Sequence, residues 1–189
     1  MPPKPKFSKE EIVNNALLLV SEKGVQKLTA RDLAERLGSS PRPIFTIFNN
    51  MDEVLKEVYD SAMELFGIYA NQIVEGIPNF KQIGISMINF AIKEPKLYQL
   101  LFMSEHENEK SFNDVLSHLG PVADLSIKTI MADYNMTYDK SYELFKHLWI
   151  YTFGIGALCA TKSCVFSNDE IIDMLGKEFR AMIMLIMKE

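Results

Sequence analysis

Only two cysteines occur in 189 residues, too few for a disulfide framework. Cys159 and Cys164 are five apart and do not stack on one helix face, so two half-buried thiols is a plainer reading than a redox switch. The histidines are few and scattered, at 106, 118 and 147. His106 sits in the run Glu105-His106-Glu107-Asn108-Glu109, which reads as a solvated charged loop rather than a metal site. Long apolar runs are missing as well. The longest, Leu148 to Ala160, is too short to span a bilayer and contains Thr152. The N-terminus carries lysines but no apolar core segment, so it is not a signal peptide. A cytoplasmic, reduced protein with no membrane partner is expected. There is no Gly-rich phosphate loop, no nucleophile elbow, no paired-carboxylate signature and no metal-spaced Cys/His set. No cofactor or metal is implied, and nothing in the chain speaks for an enzyme.

Glycine and proline are sparse, at 9 and 8, while 48% of residues are hydrophobic, with many Leu, Ile and Met. That balance suits an all-α globular protein able to bury a real core. The formal charge of −5 would ordinarily argue against a nucleic-acid partner, but its distribution is uneven. Residues 1–47 carry eight Lys/Arg against five Asp/Glu, a net of +3, so the rest carries −8. A mildly basic head on an acidic body fits a protein that meets phosphate with one end only.

The head is strongly punctuated. Ser8 and Glu11 form a capping box, with Phe7 and Ile12 as its hydrophobic staple. Ile12, Ala16, Leu19 and Val20 recur at helical spacing until Gly24. Thr29 caps a second helix with Asp32 at its third position, Leu28 faces Leu33, and Gly38 stops it. Ser40 is placed to cap a third helix beginning at Pro41, where the missing N–H costs little. Two helices joined by a short glycine turn, spanning 29–48, have the form of a DNA-binding helix-turn-helix. Asn50-Met51-Asp52-Glu53 then caps a long amphipathic helix reaching about Gly76.

The run Ile12, Ala16, Gly24, Thr29, Leu33-Ala34, Leu37-Gly38, Ser40, Ile44-Phe45, Phe48 and Asp52-Glu53-Val54-Leu55 resembles the DNA-binding domain of the tetracycline-repressor (TetR) family. The resemblance covers roughly the first third of the chain. It implies a one-component transcription regulator: a homodimer on double-stranded, palindromic operator DNA, repressing until a small hydrophobic ligand occupies the C-terminal domain. The expected division is 1–50 for the DNA-binding domain and 51–189 for ligand binding and dimerisation.

In the second helix of the motif, Ile44, Ile47 and Phe48 should pack inward, leaving Arg42, Phe45 and Thr46 to face the groove. Arg42 can bond guanine bidentately; a phosphate contact or a solvated arginine is its alternative. Lys27, Thr29, Arg31, Ser39 and Ser40 are placed for backbone phosphate, and Lys4 and Lys6 form a Pro-interrupted arm that could reach it. The chain departs from the family pattern at several of these places. The family usually has Tyr at the position of Phe45, His or Tyr at Ile47, Lys at Met51 and Thr at Pro43. Phosphate donors are lost there, and Pro43 disfavours helical geometry at Arg42. Weak or strongly salt-sensitive operator binding is therefore expected, or docking that leans on Arg42 and the lysine arm. The alternative is a helical small-molecule-binding dimer whose specific DNA binding is weakened or lost.

Downstream, helices are expected over Asn79 to about Glu94, Lys96 to Ser104, Ser111 to about Asn135 with a break at Gly120-Pro121, Thr137 to Lys162 and Asn168 to Lys188. The last two should form the homodimer interface. The final helix carries the stripe Ile172, Leu175, Phe179, Met182, Ile183 and Ile186, widened by Ile171, Met174, Met184 and Met187. Its predecessor is apolar nearly all round, with Gly154 and Gly156 opening room for a neighbouring helix. Candidate pocket residues are Phe66, Tyr69, Phe90, Tyr98, Phe102, Met103, Trp149 and Phe153, since aromatics and methionines line adaptable apolar pockets as well as cores.

Overall fold

A computed structural model describes residues 6–70, 79–104, 111–119 and 121–188. Among these, every regular element is helical and no strand forms. The α-helices are α1 (Lys9–Lys23), α2 (Ala30–Arg36), α3 (Met51–Ala70), α4 (Asn79–Lys93), α5 (Pro95–Phe102), α6 (Phe112–Leu119), α7 (Pro121–Tyr134), α8 (Tyr138–Ala160) and α9 (Asn168–Ile186). The expected end of α3 near Gly76, the loop around His106 and the arm residue Lys4 lie outside the described residues.

Compactness divides the chain into residues 1–65 with 94–104, and residues 66–93 with 105–189. This is not the division at residue 50. α3 begins at Met51 and crosses the boundary after Leu65, and α5 returns to the first unit after α4 has been part of the second. The return has a physical cause. Pro95 occupies the first turn of α5, where its missing N–H is harmless, and Glu94 before it accepts a 2.8 Å hydrogen bond from the Ser21 hydroxyl of α1. Leu97, Tyr98, Leu100 and Leu101 of α5 are all buried.

Local signals explain the helix ends. Ser8 accepts from the Glu11 N–H at 3.1 Å while Glu11 accepts from the Ser8 N–H at 2.7 Å, so α1 begins with both ends of its capping box made. Ser167 and Glu170 repeat this at α9. Gly24 closes α1 at φ 85°, ψ 162°, a region essentially reserved for glycine. α2 ends in a Schellman motif around Gly38 (φ 62°): Ser39 N–H donates to Ala34 O at 2.9 Å and Gly38 N–H to Glu35 O at 3.0 Å.

The core of the first unit is built from Ile12, Ala16, Leu19 and Val20 of α1, Leu33 and Ala34 of α2, Ile44, Phe48, and Val54, Val58 and Ala62 of α3. In the second, α8 is central and packs against α4, α7 and α9. Its apolar circumference requires such burial, and Leu144, Phe145, Leu148, Trp149 and Ile155 are all buried. Truncating one of them, such as Leu144→Ala, would cost about 2–5 kcal/mol. Among the described residues no helix is long and apolar enough to cross a membrane.

Candidate nucleic-acid interface and ligand cavity

The segment after Gly38 departs from expectation. No α-helix begins at Pro41, and Ser40 caps none; the chain makes turns and then a three-residue 3-10 helix, Ile44–Thr46. The hydrogen bonds give the reason. Ile44 N–H reaches Pro41 O at 3.0 Å, Thr46 N–H reaches Pro43 O at 3.3 Å, and Ile47 N–H reaches Ile44 O at 3.1 Å, all one residue short of α-helical spacing. Pro43 disfavours α-helical geometry at Arg42, and Ile44 N–H, the first donor that a helix capped at Ser40 would use, goes to Pro41 O and not to Ser40 O. Only Phe48 N–H, donating to Ile44 O at 3.0 Å, has α-helical spacing.

The two faces nevertheless separate. Ile44 and Phe48 are buried and Ile47 half-buried, while Arg42, Phe45 and Thr46 are exposed. Thr46 spends its hydroxyl proton on Pro43 O at 2.6 Å, which leaves it only an acceptor for DNA. Arg42 keeps its guanidinium fork in solvent. Lys27, Thr29, Arg31 and Ser40 are exposed and Ser39 is half-buried. Thr29 is committed to α2: its oxygen accepts from Asp32 N–H at 3.1 Å and its proton goes to the Asp32 carboxylate at 2.6 Å. Lys6 folds back, its Nζ 3.1 Å from Ser39 Oγ, which brings the arm lysine beside the glycine turn.

Two ion pairs hold the frame beneath this surface. Arg36 of α2 pairs with Glu22 of α1 at 2.7 Å, and Lys9 of α1 pairs with Glu57 of α3 at 2.7 Å. The Arg36 guanidinium holds the Glu22 carboxyl below its ordinary range. Asn49, donating from side chain and backbone, does the same for Glu53, whose own N–H is capped by Asn50 at 2.9 Å.

The second unit contains a cavity of about 230 Å³. α4 contributes Lys81, Ile83, Gly84 and Met87; α8 contributes Phe145, Leu148, Trp149 and Thr152; α7 gives Tyr134; α9 gives Leu175, Gly176, Phe179 and Arg180. Two aromatic pairs make its walls, Tyr134–Phe179 with ring centroids 5.1 Å apart and Phe145–Trp149 at 6.2 Å. Burial, and then the charge of Asp133, push the Tyr134 hydroxyl up, so it remains a proton donor.

Of the aromatics and methionine expected to form a pocket, Trp149 alone lines this cavity. Phe66, Tyr69 and Phe90 form an edge-on cluster with centroids 5.5 and 5.3 Å apart, with Phe66 and Phe90 fully buried. Phe153 is half-buried on α8. Tyr98, Phe102 and Met103 belong to the first unit, where the Tyr98 and Phe102 rings meet at a tilt with centroids 4.9 Å apart. Ring-rich composition does not separate a wall from a core. The signal overlooked was glycine inside helices: Gly84 and Gly176 are mid-helix, where glycine is unfavourable unless space is needed.

The final stripe also divides. Leu175 and Phe179 face the cavity, and Ile171 and Ile186 are buried within the unit, so they are not free to meet a partner. Exposed large apolar side chains of α9 include Met184 and Leu185, 61% and 59% exposed, and α8 exposes the aliphatic Ile150 and Leu158, 53% and 41%, besides Tyr138 at its start. Gly154 lies between Ile150 and Leu158, and a Cβ added there would meet nothing within 4 Å. The cysteines are unlike each other, Cys159 buried and Cys164 exposed, and not a half-buried pair.

Residues 12–58 match the family model for bacterial regulatory proteins of the tetR family. Solved structures share the fold across nearly the whole chain. A TetR-family transcriptional regulator protein from Vibrio parahaemolyticus is 13% identical, with a TM-score of 0.64 over 92% of this chain and 97% of that one. A TetR-like regulator from Rhodococcus sp. RHA1 is 12% identical, with a TM-score of 0.60 over 90% and 92%. A TetR variant from Acinetobacter baumannii AYE, in complex with minocycline, is 17% identical, with a TM-score of 0.56 over 97% and 96%. No curated relative matches the chain in sequence.

Proposed function

We propose that this chain, whose residues 12–58 match the tetR-family model of bacterial regulatory proteins and whose fold is that of TetR-family regulators, is a DNA-binding transcriptional regulator that acts as a ligand-released repressor. Operator binding would use Arg42 for base edges, with Lys4, Lys6, Lys27, Thr29, Arg31, Ser39 and Ser40 on phosphate and Phe45 and Thr46 against the groove. A homodimer through α8 and α9 would place two such heads on the half-sites of a palindrome, one helical turn apart. A small, mainly apolar ligand in the 230 Å³ cavity would favour a dimer whose heads no longer match that spacing. A small-molecule complex has a parallel in the minocycline-bound Acinetobacter baumannii neighbour.

The observation that carries this reading is the route of the chain. α4 walls the cavity with Lys81, Ile83, Gly84 and Met87, and the single residue Glu94 then joins it to α5. α5 is part of the unit that holds the helix-turn-helix, and Glu94 itself is bonded to Ser21 of α1. A ligand that shifts α4 therefore pulls on a covalent link to the DNA-binding unit.

A second reading, a ligand-binding dimer with weakened operator recognition, is favoured by the short 3-10 turn at Ile44–Thr46, where the sequence pattern leads one to expect a longer groove helix. A mobility shift on the DNA upstream of its own gene, at low and moderate salt, decides between them. Sequence-specific complexes weakened by Arg42→Ala support the repressor. Sequence-blind, salt-labile binding, or none, supports the second reading.

A further inference from the structure

Resting on the reading that this cavity is the effector site, we propose that its occupant is a small amphipathic acid, an apolar body between the aromatic walls and a carboxylate head between Lys81 and Arg180. The lining supplies the first half of that description. Apart from Lys81 and Arg180, the polar side-chain groups at the wall are Thr152, the Tyr134 hydroxyl and the Trp149 indole, and among the described residues no Asp or Glu lines the cavity.

The second half comes from the two cations. A Cβ built on Gly176 would lie 3.1 Å from Lys81 Nζ and 3.4 Å from an Arg180 Nη, so both charges sit over the same α-carbon. Their separation cannot exceed the sum of those distances. Neither has an ion pair or hydrogen bond among the described residues. This happens in a part of the chain with a strong excess of carboxylates, where Lys177, one position after Gly176, has found Asp173 at 2.7 Å. Two like charges this close repel, and a single anion between them reverses the sign of the interaction. Arg180 can present two parallel N–H groups to a carboxylate, and Lys81 a third donor beside them. Gly176 is the enabling residue, because any side chain there would stand where the cations converge.

Size limits the body. At about 230 Å³ the space falls below the ~300–1,000 Å³ of pockets for drug-sized ligands, so one ring with a short alkyl chain is the scale that fits.

The chain has one tryptophan, and it is in the wall, so intrinsic fluorescence reports occupancy directly. The full-length protein would be titrated with 4-phenylbutyrate and with 4-phenylbutanol, following Trp149 emission and, in parallel, heat by calorimetry. The acid is expected to bind at least about ten-fold more tightly than the alcohol, the scale of a charge-assisted hydrogen bond. Lys81→Met and Arg180→Gln should each weaken the acid about ten-fold and leave the alcohol unchanged. Lys81 is half-buried and Arg180 exposed, so folding should survive both changes, and Lys177→Gln serves as a charge-matched control that changes nothing. Equal affinity for acid and alcohol, no acid binding up to millimolar concentration, or acid binding indifferent to both substitutions would overturn the proposal. Operator release measured on the same samples separates the two ideas. Acid binding without release supports this site and counts against the effector reading; release with Trp149 silent overturns the site.

Discussion

Arg36 donates to both oxygens of the Glu22 carboxylate, from one Nη to Oε2 at 2.7 Å and from the other to Oε1 at 2.9 Å. The fork ties α2 to α1 just ahead of the glycine turn that aims Arg42. Because the hydrogen bond from Arg36 lowers the Glu22 pKa in the folded state, the pair stabilises the fold above the ordinary carboxyl value of 4.5. That contribution is lost as pH falls through the lowered folded value. Thermal melts of wild type and Glu22→Gln should therefore differ near neutrality and converge below pH 4.5. A difference that persists unchanged at about pH 3, below the ordinary carboxyl range, would mean that the carboxylate charge is not its source.

Gly24 and Gly38 make a graded pair. Gly38 is in the ordinary left-handed region with nothing within 4 Å of an added Cβ, so Gly38→Ala should cost about 1–2 kcal/mol and Gly38→Asn less. Gly24, at φ 85° and ψ 162°, is where asparagine gives no relief. Denaturant unfolding should rank Gly24→Ala and Gly24→Asn as equally damaging, and separate the two Gly38 variants.

Met51 opens α3 next to the groove segment and carries no charge. Met51→Lys should add one phosphate contact, so that the slope of log K against log salt steepens by about 0.9. Binding at low salt should tighten equally for operator and unrelated DNA. An unchanged slope would place Met51 away from the backbone.

Alkylation should separate the cysteines. Cys164 is exposed and should react with iodoacetamide in the native state. Cys159 is buried, and burial followed by the neighbouring Cys164 charge pushes its thiol up, so it should react only on unfolding. Mass spectrometry of the peptides at partial labelling would tell them apart.

Gly154 offers a clean test of the dimer. A side chain there meets nothing within its own protomer, so Gly154→Arg should keep or raise monomer stability. If α8 meets its counterpart across a two-fold axis, the same change should weaken dimerisation at least about thirty-fold, the scale of an interface hot spot. Sedimentation velocity over a concentration series would measure it. An unaltered dimer would move the interface elsewhere.

Helix starts and stops were legible because their chemistry is local. Ser8–Glu11, Thr29, Gly24 and Gly38 act within a few residues of themselves, and each cap appears where its spacing predicts. The turn at 41–48 was half legible. Pro43 announces a conflict with helix at Arg42, but Pro41 alone is compatible with a helix start, and the outcome shows only in Ile44 N–H bonding Pro41 O. The cavity was hidden for a different reason. Whether an aromatic ring faces a void or another ring depends on which helices pack beside it, and that is a long-range property. Phe66 and Phe90 met each other, while Trp149 came to line a void. The lysine and arginine that give the cavity its character look, along the sequence, like ordinary polar positions of amphipathic helices.

The return of α5 to the first unit bears on how such a protein can be taken apart or recombined. A fragment cut anywhere before residue 94 omits a helix whose Leu97, Tyr98, Leu100 and Leu101 are buried, and leaves the Ser21 hydroxyl without Glu94. The unit that carries the helix-turn-helix segment is thus not a contiguous stretch of chain. A chimera that exchanges only the N-terminal third inherits a mismatched α5, whereas one that exchanges 94–104 together with it keeps the head's own support. Residues 94–104 supply none of the cavity lining, so change in that stretch is constrained by the head it packs against and not by the cavity.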